Sequence, residues 1–239
     1  MLTQIQIYFL MFCIYSFLGW LMEVINTIRV NKKFVNRGFL IGPYCPIYGF
    51  GVLLITLLLK KYQDDIIATF IFSILICGIL EYFTSYVLEK IFHARWWDYS
   101  KRKFNINGRI CLENLIIFGI LGCTIMYVLN PFIINILTET PDIIINIISI
   151  LLLICFITDV TISGKVILNL KDISKNLIKD NTEEISMKVR KIIQSKFTLQ
   201  RRLLKAFPNI KNDINFEELI ENAKKRLNKR KNKKIILDN

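Results

Sequence analysis

The stretch IIATFIFSILICGILEYFTSYVLEKIF, residues 66–92, decides the fold. It is long and apolar enough to cross roughly 30 Å of hydrocarbon as a helix, yet it carries Glu81 well inside and Glu89 about two turns further on. A carboxylate inside a membrane span is costly, so such residues face a bundle interior or a wet cavity and mark functional sites by default. Ser85 and Glu89 follow Glu81 at four-residue steps, which places all three on one helix face.

Four further apolar runs flank this one, at residues 5–28, 40–59, 111–137 and 143–162. With 53% apolar residues in a chain of 239, they predict an all-α polytopic membrane bundle of about five transmembrane helices. The division expected is a bundle over 1–164, with loops at 29–40 and 93–110, and a basic helical tail over 165–239. Arg29, Lys32, Lys33 and Arg37 crowd the first loop, and Lys90, Arg95, Lys101, Arg102, Lys103 and Arg109 the third. Basic residues near span ends stay cytoplasmic, so the N-terminus is expected outside and the C-terminus in the cytoplasm of a bacterial inner or plasma membrane. The first run has no basic leader and no small-residue cleavage site, so it is expected to remain as a helix.

Glu23 and Asp159 fall inside the first and fifth runs, and Glu113 opens the fourth. At helical rise Glu23 lies roughly 27 Å along its span and Glu81 roughly 22 Å along its own, so the five acids share one layer toward the cytoplasmic end. Glu89 and Glu113 are near enough to the boundary to reach headgroup water, and Glu113 also suits a helix N-terminus. Carboxylates gathered in a low dielectric must be protonated, paired or hydrated. Arg37, Arg109 and Arg95 are the cations placed to pair with them, and a guanidinium suits a carboxylate or phosphate through two parallel hydrogen bonds.

The run NRGFLIGPYCPIYGFG, residues 36–51, packs four glycines and two prolines into the entry of the second apolar run. Pro43 and Pro46 remove backbone donors, so the segment reads as a broken or re-entrant entry, or as a turn at headgroup level. Asn36 and Arg37 begin it. Trp96, Trp97 and Tyr99 read either as an interfacial aromatic belt or, with Asp98, Asn107 and Arg109, as a structured loop over the cytoplasmic mouth. His93 is the only histidine, and nothing spaces carboxylates around it as a metal motif. The six cysteines lack metal-type pairing and read as small packing residues.

From Lys165 onward the chain carries 20 Lys plus Arg against 9 Asp plus Glu, a net +11, which leaves +2 on the preceding part. Ile185, Val189, Ile192, Ile193, Phe197, Leu203, Leu204 and Phe207 recur at helical spacing until Pro208, and a second helix is expected over 216–227. Such basic amphipathic helices lie on anionic lipid headgroups or dock a cytoplasmic partner. No motif for reading nucleic acid accompanies the charge.

Tyr15-Ser16-Phe17-Leu18-Gly19-Trp20 with Glu23, Asn36-Arg37-Gly38-Phe39-Leu40 through Gly42-Pro43, and Pro46-Ile47-Tyr48-Gly49 resemble the bacterial family of putative ABC-transporter type IV permeases. So do Glu81-Tyr82, Trp96-Trp97-Asp98-Tyr99-Ser100, Asn107-Gly108-Arg109-Ile110 and, in the tail, Arg201 to Pro208. The resemblance implies transport. The chain has no phosphate-cradling Gly-x4-Gly-Lys-Ser/Thr loop, so any ATPase would be a separate chain. Five spans are few for a pathway, which makes a homo-oligomer plausible.

Three functions are compatible with these residues. The first is a permease-like protein whose cytoplasm-facing cavity is lined by Glu23, Asn36, Arg37, Glu81, Glu89, Asp98, Asn107, Arg109, Glu113 and Asp159, with no metal and no cofactor. The second is a membrane-embedded enzyme acting on a lipid or lipid-linked substrate, with Glu81 or Asp98 as base. The third is an anchor or sensor whose basic tail docks a partner.

Overall fold

The structure, a computed structural model, describes residues 2–179 except 33, 35, 37, 39, 93 and 94, and only the backbone over 166–179. Arg37, His93 and the two tail helices expected at 185–207 and 216–227 lie outside the described residues. Six α-helical segments are described: α1 (Leu2–Asn31), α2 (Pro46–Leu58), α3 (Ile66–Phe92), α4 (Leu112–Thr124), α5 (Asn130–Glu139) and α6 (Asp142–Lys179). A two-stranded antiparallel hairpin, β1 (Asn105–Ile106) and β2 (Ile110–Cys111), joins α3 to α4.

Four helical stretches are long and apolar enough to cross a membrane: Thr3–Val30, Ile66–Ile91, Leu112–Glu139 and Asp142–Lys165. The second apolar run does not supply a fifth. Its helix has 13 residues, about 20 Å at helical rise, because the chain bends irregularly over residues 40–43, around Gly42 and Pro43, and turns helical only at Pro46, which suits a first helical position. The backbone N–H of Cys45 donates to the Ser16 carbonyl at 2.9 Å, so α2 begins level with the middle of α1. From there it runs back along α1: Tyr48 meets Gly19, Gly49 meets Ser16 and Phe12, and Phe50 packs on Phe12. The second run is therefore an irregular strap followed by a half-length helix.

The fourth run is a single rod with a fault in it. Between α4 and α5 the turn Ile125–Leu129 widens to π-helical geometry. Pro131 has no N–H, and its ring would collide with the carbonyl four residues back in a regular helix, so the wide turn relieves that clash. Asn130 beside it is buried and takes a hydrogen bond from the Tyr15 hydroxyl at 2.7 Å while its own amide donates to Thr56 at 2.8 Å. That amide ties α5 to α1 and α2. Around it sits the apolar core of Leu10, Met11, Tyr15, Val52, Ile133, Leu137 and Ile145.

Small residues set how closely the helices approach, as expected where lipid removes the hydrophobic drive for association. A Cβ built on Gly49 would stand 2.5 Å from the Phe12 carbonyl oxygen, whereas one on Gly51 would meet nothing nearer than 3.6 Å. Gly49→Ala should therefore cost about 1–3 kcal/mol through overpacking. Gly51→Ala, in the same helix, should be neutral or stabilise by up to about 1 kcal/mol. Thermal unfolding of the two variants in detergent checks the opposite signs. Cys13, Cys77, Cys111, Cys123 and Cys155 are free thiols.

Candidate functional site

The carboxylates divide into groups with different surroundings. Asp159 on α6 is enclosed by donors: the backbone N–H of Ile41 at 2.9 Å, that of Gly42 at 2.6 Å, the Tyr44 hydroxyl at 2.6 Å and the Ser163 hydroxyl at 2.7 Å. Three of these come from the strap before α2. Asn36 works on the same strap from its other end, accepting from Trp20 Nε1 at 2.8 Å and from the Gly38 N–H at 3.0 Å, and donating to the Ile41 carbonyl at 3.0 Å. These two residues hold irregular backbone inside the bundle, where unsatisfied amides would be costly.

A second group lies between α1, α2, α3 and the hairpin loop. The Tyr48 hydroxyl donates to Glu23 Oε1 at 2.8 Å, and the Tyr99 hydroxyl donates to Glu81 Oε1 at 3.1 Å. Glu23 is close enough to Glu81 for the two carboxyls to interact electrostatically, and Asn114 of α4 also approaches Glu81. Glu81 is only 7% exposed, and its Oε2 is buried with no hydrogen-bond partner among the described residues. Among the described residues no Lys or Arg forms an ion pair with it. Of the buried polar side-chain atoms left open among the described residues, Oε2 is the one that belongs to a carboxyl group, and a charged group is the costliest to leave so. Tyr99 is pushed well above the ordinary tyrosine range by burial and then by the Glu81 carboxyl beside it, so its hydroxyl keeps its proton.

The third group fastens the hairpin on α3. Glu89 Oε2 receives Arg109 Nη1 at 2.8 Å and Arg95 Nε at 3.2 Å, and Arg109 also donates to the Ser85 hydroxyl at 3.3 Å. The Arg109 guanidinium, with a side chain 11% exposed, lies over the Tyr82 and Tyr86 rings at 5.6 and 5.4 Å. Such stacking adds attraction at a partly desolvated site. Asn107 and Gly108 carry φ of 54° and 68°, the left-handed pair that a tight hairpin turn demands and that Asn-Gly supplies most readily. The Asn107 amide donates to the Tyr82 hydroxyl at 2.9 Å. Trp97 Nε1 donates to the Arg109 carbonyl at 3.0 Å and the Tyr99 N–H to the Gly108 carbonyl at 2.7 Å. These bonds carry Tyr99 down to Glu81.

Asp98 organises the loop itself. It accepts from the Ser100 hydroxyl at 2.5 Å and the Ser100 N–H at 2.9 Å, with Arg95 at 3.8 Å. The Ser100 bonds, with Arg95 adding to them, hold its carboxyl below the usual aspartate range. Glu113 stands apart on the first turn of α4, paired with Arg102 at 3.0 Å and 60% exposed. An exposed pair of this kind contributes little to stability.

The expected single layer thus resolves into a strap clamp (Asn36, Asp159), a hairpin clamp (Glu89, Asp98, Asn107, Arg109), a surface pair (Glu113) and one interior carboxyl pair (Glu23, Glu81). Tyr48 and Tyr99, which donate into the interior pair, and Tyr44 and Ser163, which donate to Asp159, are additional to the residues expected from sequence. The four-residue step from Asp159 to Ser163 is a signal that helical spacing carries. The tyrosines have no such local signal, because their partners lie 18 to 115 positions away. Among the described residues no three His, Cys, Asp or Glu side chains are grouped to hold a metal ion.

A family model described as putative ABC-transporter type IV matches residues 10–164. The chain belongs to that family. The match covers the strap, the hairpin and all five carboxylates, so every group described above lies within the type IV family region. No curated protein and no solved structure matches the chain. As a type IV ABC-transporter family member with several membrane-crossing helices, it is consistent with a multi-pass membrane transport protein.

Proposed function

We propose that the chain is the permease-like subunit of a membrane transporter, and that the Glu23 and Glu81 pair with Tyr48 and Tyr99 is its working site. The observation that carries this is the buried Glu81 Oε2, an acceptor with no hydrogen-bond partner among the described residues, whereas Glu89 and Glu113 are held by arginines and both oxygens of Asp159 by donors. An open acceptor next to a second carboxyl suits a proton, a small cation or the cationic end of a substrate. Tyr99 reaches the same carboxyl from the hairpin through Oε1, and a polar cavity built on this pair would open toward the cytoplasm once the hairpin moves.

The basic residues gathered at the hairpin end support that orientation, with the N-terminus outside and the C-terminus inside. A bacterial inner or plasma membrane is the expected setting, and a separate ATPase supplies coupling, since the chain has no phosphate-binding loop of its own. Asp159, Asn36 and Arg109 position the strap and hairpin around the site.

Proteoliposomes loaded with a pH-sensitive dye, and assayed in parallel for monovalent cation uptake, test the reading. Glu81→Gln, which keeps the shape and removes the charge, should lower flux at least about tenfold, the scale expected when a buried charged group loses its role. Glu113→Gln should leave it unchanged. Equal flux in folded wild-type and Glu81→Gln protein would remove Glu81 from the pathway.

A further inference from the structure

The open end of the hairpin, residues 101–106 on the side away from the Asn107-Gly108 turn, presents a surface that no transport role requires. Phe104 is 79% exposed and Ile106 54% exposed, and Lys101, Arg102 and Lys103 precede them, all exposed. This end of the hairpin is not loose. Phe104 has φ 51°, its carbonyl accepts from the Leu112 N–H at 3.2 Å, and the Asn105 amide donates to the Arg102 carbonyl at 2.8 Å. An aromatic ring held outward by a bonded frame has a partner elsewhere, because exposing it to water has a hydrophobic cost.

Its height on the bundle identifies that partner. The bond to Leu112 sets Phe104 level with the first residue of the Leu112–Glu139 span, and Leu112 is itself 45% exposed. The outward apolar surface of the span therefore continues onto the open end of the hairpin at the membrane boundary. The segment 95–113 holds five Lys or Arg against two carboxylates, so the matching surface is negative. The chain's own tail beyond Lys165 is strongly basic and would be repelled.

We propose that the open end of the hairpin is an interfacial anchor for anionic lipid, with Phe104 and Ile106 inserted at the acyl boundary and Lys101, Arg102 and Lys103 on the headgroups. Amphipathic elements of this composition bury their apolar face roughly 5–10 Å into the boundary region. The anchor does not depend on what Glu81 binds. It does add a second attachment to the element that carries Tyr99, so anionic lipid steadies the cover over Glu81.

The full-length protein carrying Phe104→Trp, reconstituted in nanodiscs with brominated acyl chains, tests this. Subtracting the wild-type spectrum removes Trp20, Trp96 and Trp97 and isolates the added indole. Quenching by the brominated chains should be at least about twofold stronger in phosphatidylglycerol-containing discs than in phosphatidylcholine discs, and aqueous iodide should have little effect. Changing Lys101, Arg102 and Lys103 to Gln should return the quenching to the phosphatidylcholine level. An indole quenched by iodide and spared by the brominated chains in both lipids would overturn the proposal and leave an acidic protein as the occupant. Equal bromolipid quenching in both lipids, unaffected by the triple change, would overturn its anionic part.

Discussion

Asp159→Ala is expected to destabilise the protein by about 3–5 kcal/mol, the scale for removing one partner from a buried charged hydrogen-bond set. Four donors converge on this carboxylate, and two of them are the backbone amides of Ile41 and Gly42. Side chains can turn toward water when a partner disappears, but amides fixed by the strap cannot. The strap should therefore lift from α6, and Cys45 should lose its bond to the Ser16 carbonyl as α2 loosens on α1. Asp159→Asn should recover only a small part of the loss, because its amide keeps one acceptor and points two N–H groups at donors. Ser163→Ala removes a single donor and should cost about 1 kcal/mol. Hydrogen exchange at Ile41 and Gly42, with thermal unfolding in detergent, separates these outcomes. Unchanged protection in Asp159→Ala would show that the strap is held by other contacts.

The same residue shows where a linear sequence stops being informative. Its depth within an apolar run marked it as abnormal, which is legible because a carboxylate in hydrocarbon needs a reason. The reason lies in a segment 115 to 118 positions earlier, and no periodicity connects the two. The strap's irregularity was legible from Pro43, Pro46 and the glycines, since these residues act on local backbone. That α2 would be half a span was not, because residues 40–59 are apolar enough for a full one. The π-helical turn before Pro131 had a readable cause, a proline inside a long apolar run. The hairpin turn had another in Asn107-Gly108. Tyr48 and Tyr99 had none, since any hydroxyl near a boundary can find water until the fold brings a carboxyl to it.

Arg109→Ala should release the hairpin, with an expected loss of about 2–3 kcal/mol from its charged hydrogen bonds and its two ring contacts. The estimate lies below that for stripping a buried carboxylate bare, because Arg95 remains on Glu89 at 3.2 Å. Arg109→Lys should be nearly as harmful. An ammonium on a flexible stem cannot reach Glu89 and Ser85 while presenting a flat face to Tyr82 and Tyr86. Because Trp97 and Tyr99 are bonded to the backbone of Arg109 and Gly108, undocking carries both away from α3. Two measurements then move together. Trp97 becomes open to aqueous quenchers, and Glu81 loses its cover and becomes reactive to a water-soluble carbodiimide, read as a mass shift on its peptide. Glu113, already 60% exposed, should label equally in both proteins and calibrates the reagent. Glu81 labelling that stays at the wild-type level while Trp97 is exposed would mean that Tyr99 is not what shields the carboxyl. The cover over the site would then have to be assigned to α1 and α2, where Glu23 and Tyr48 already meet.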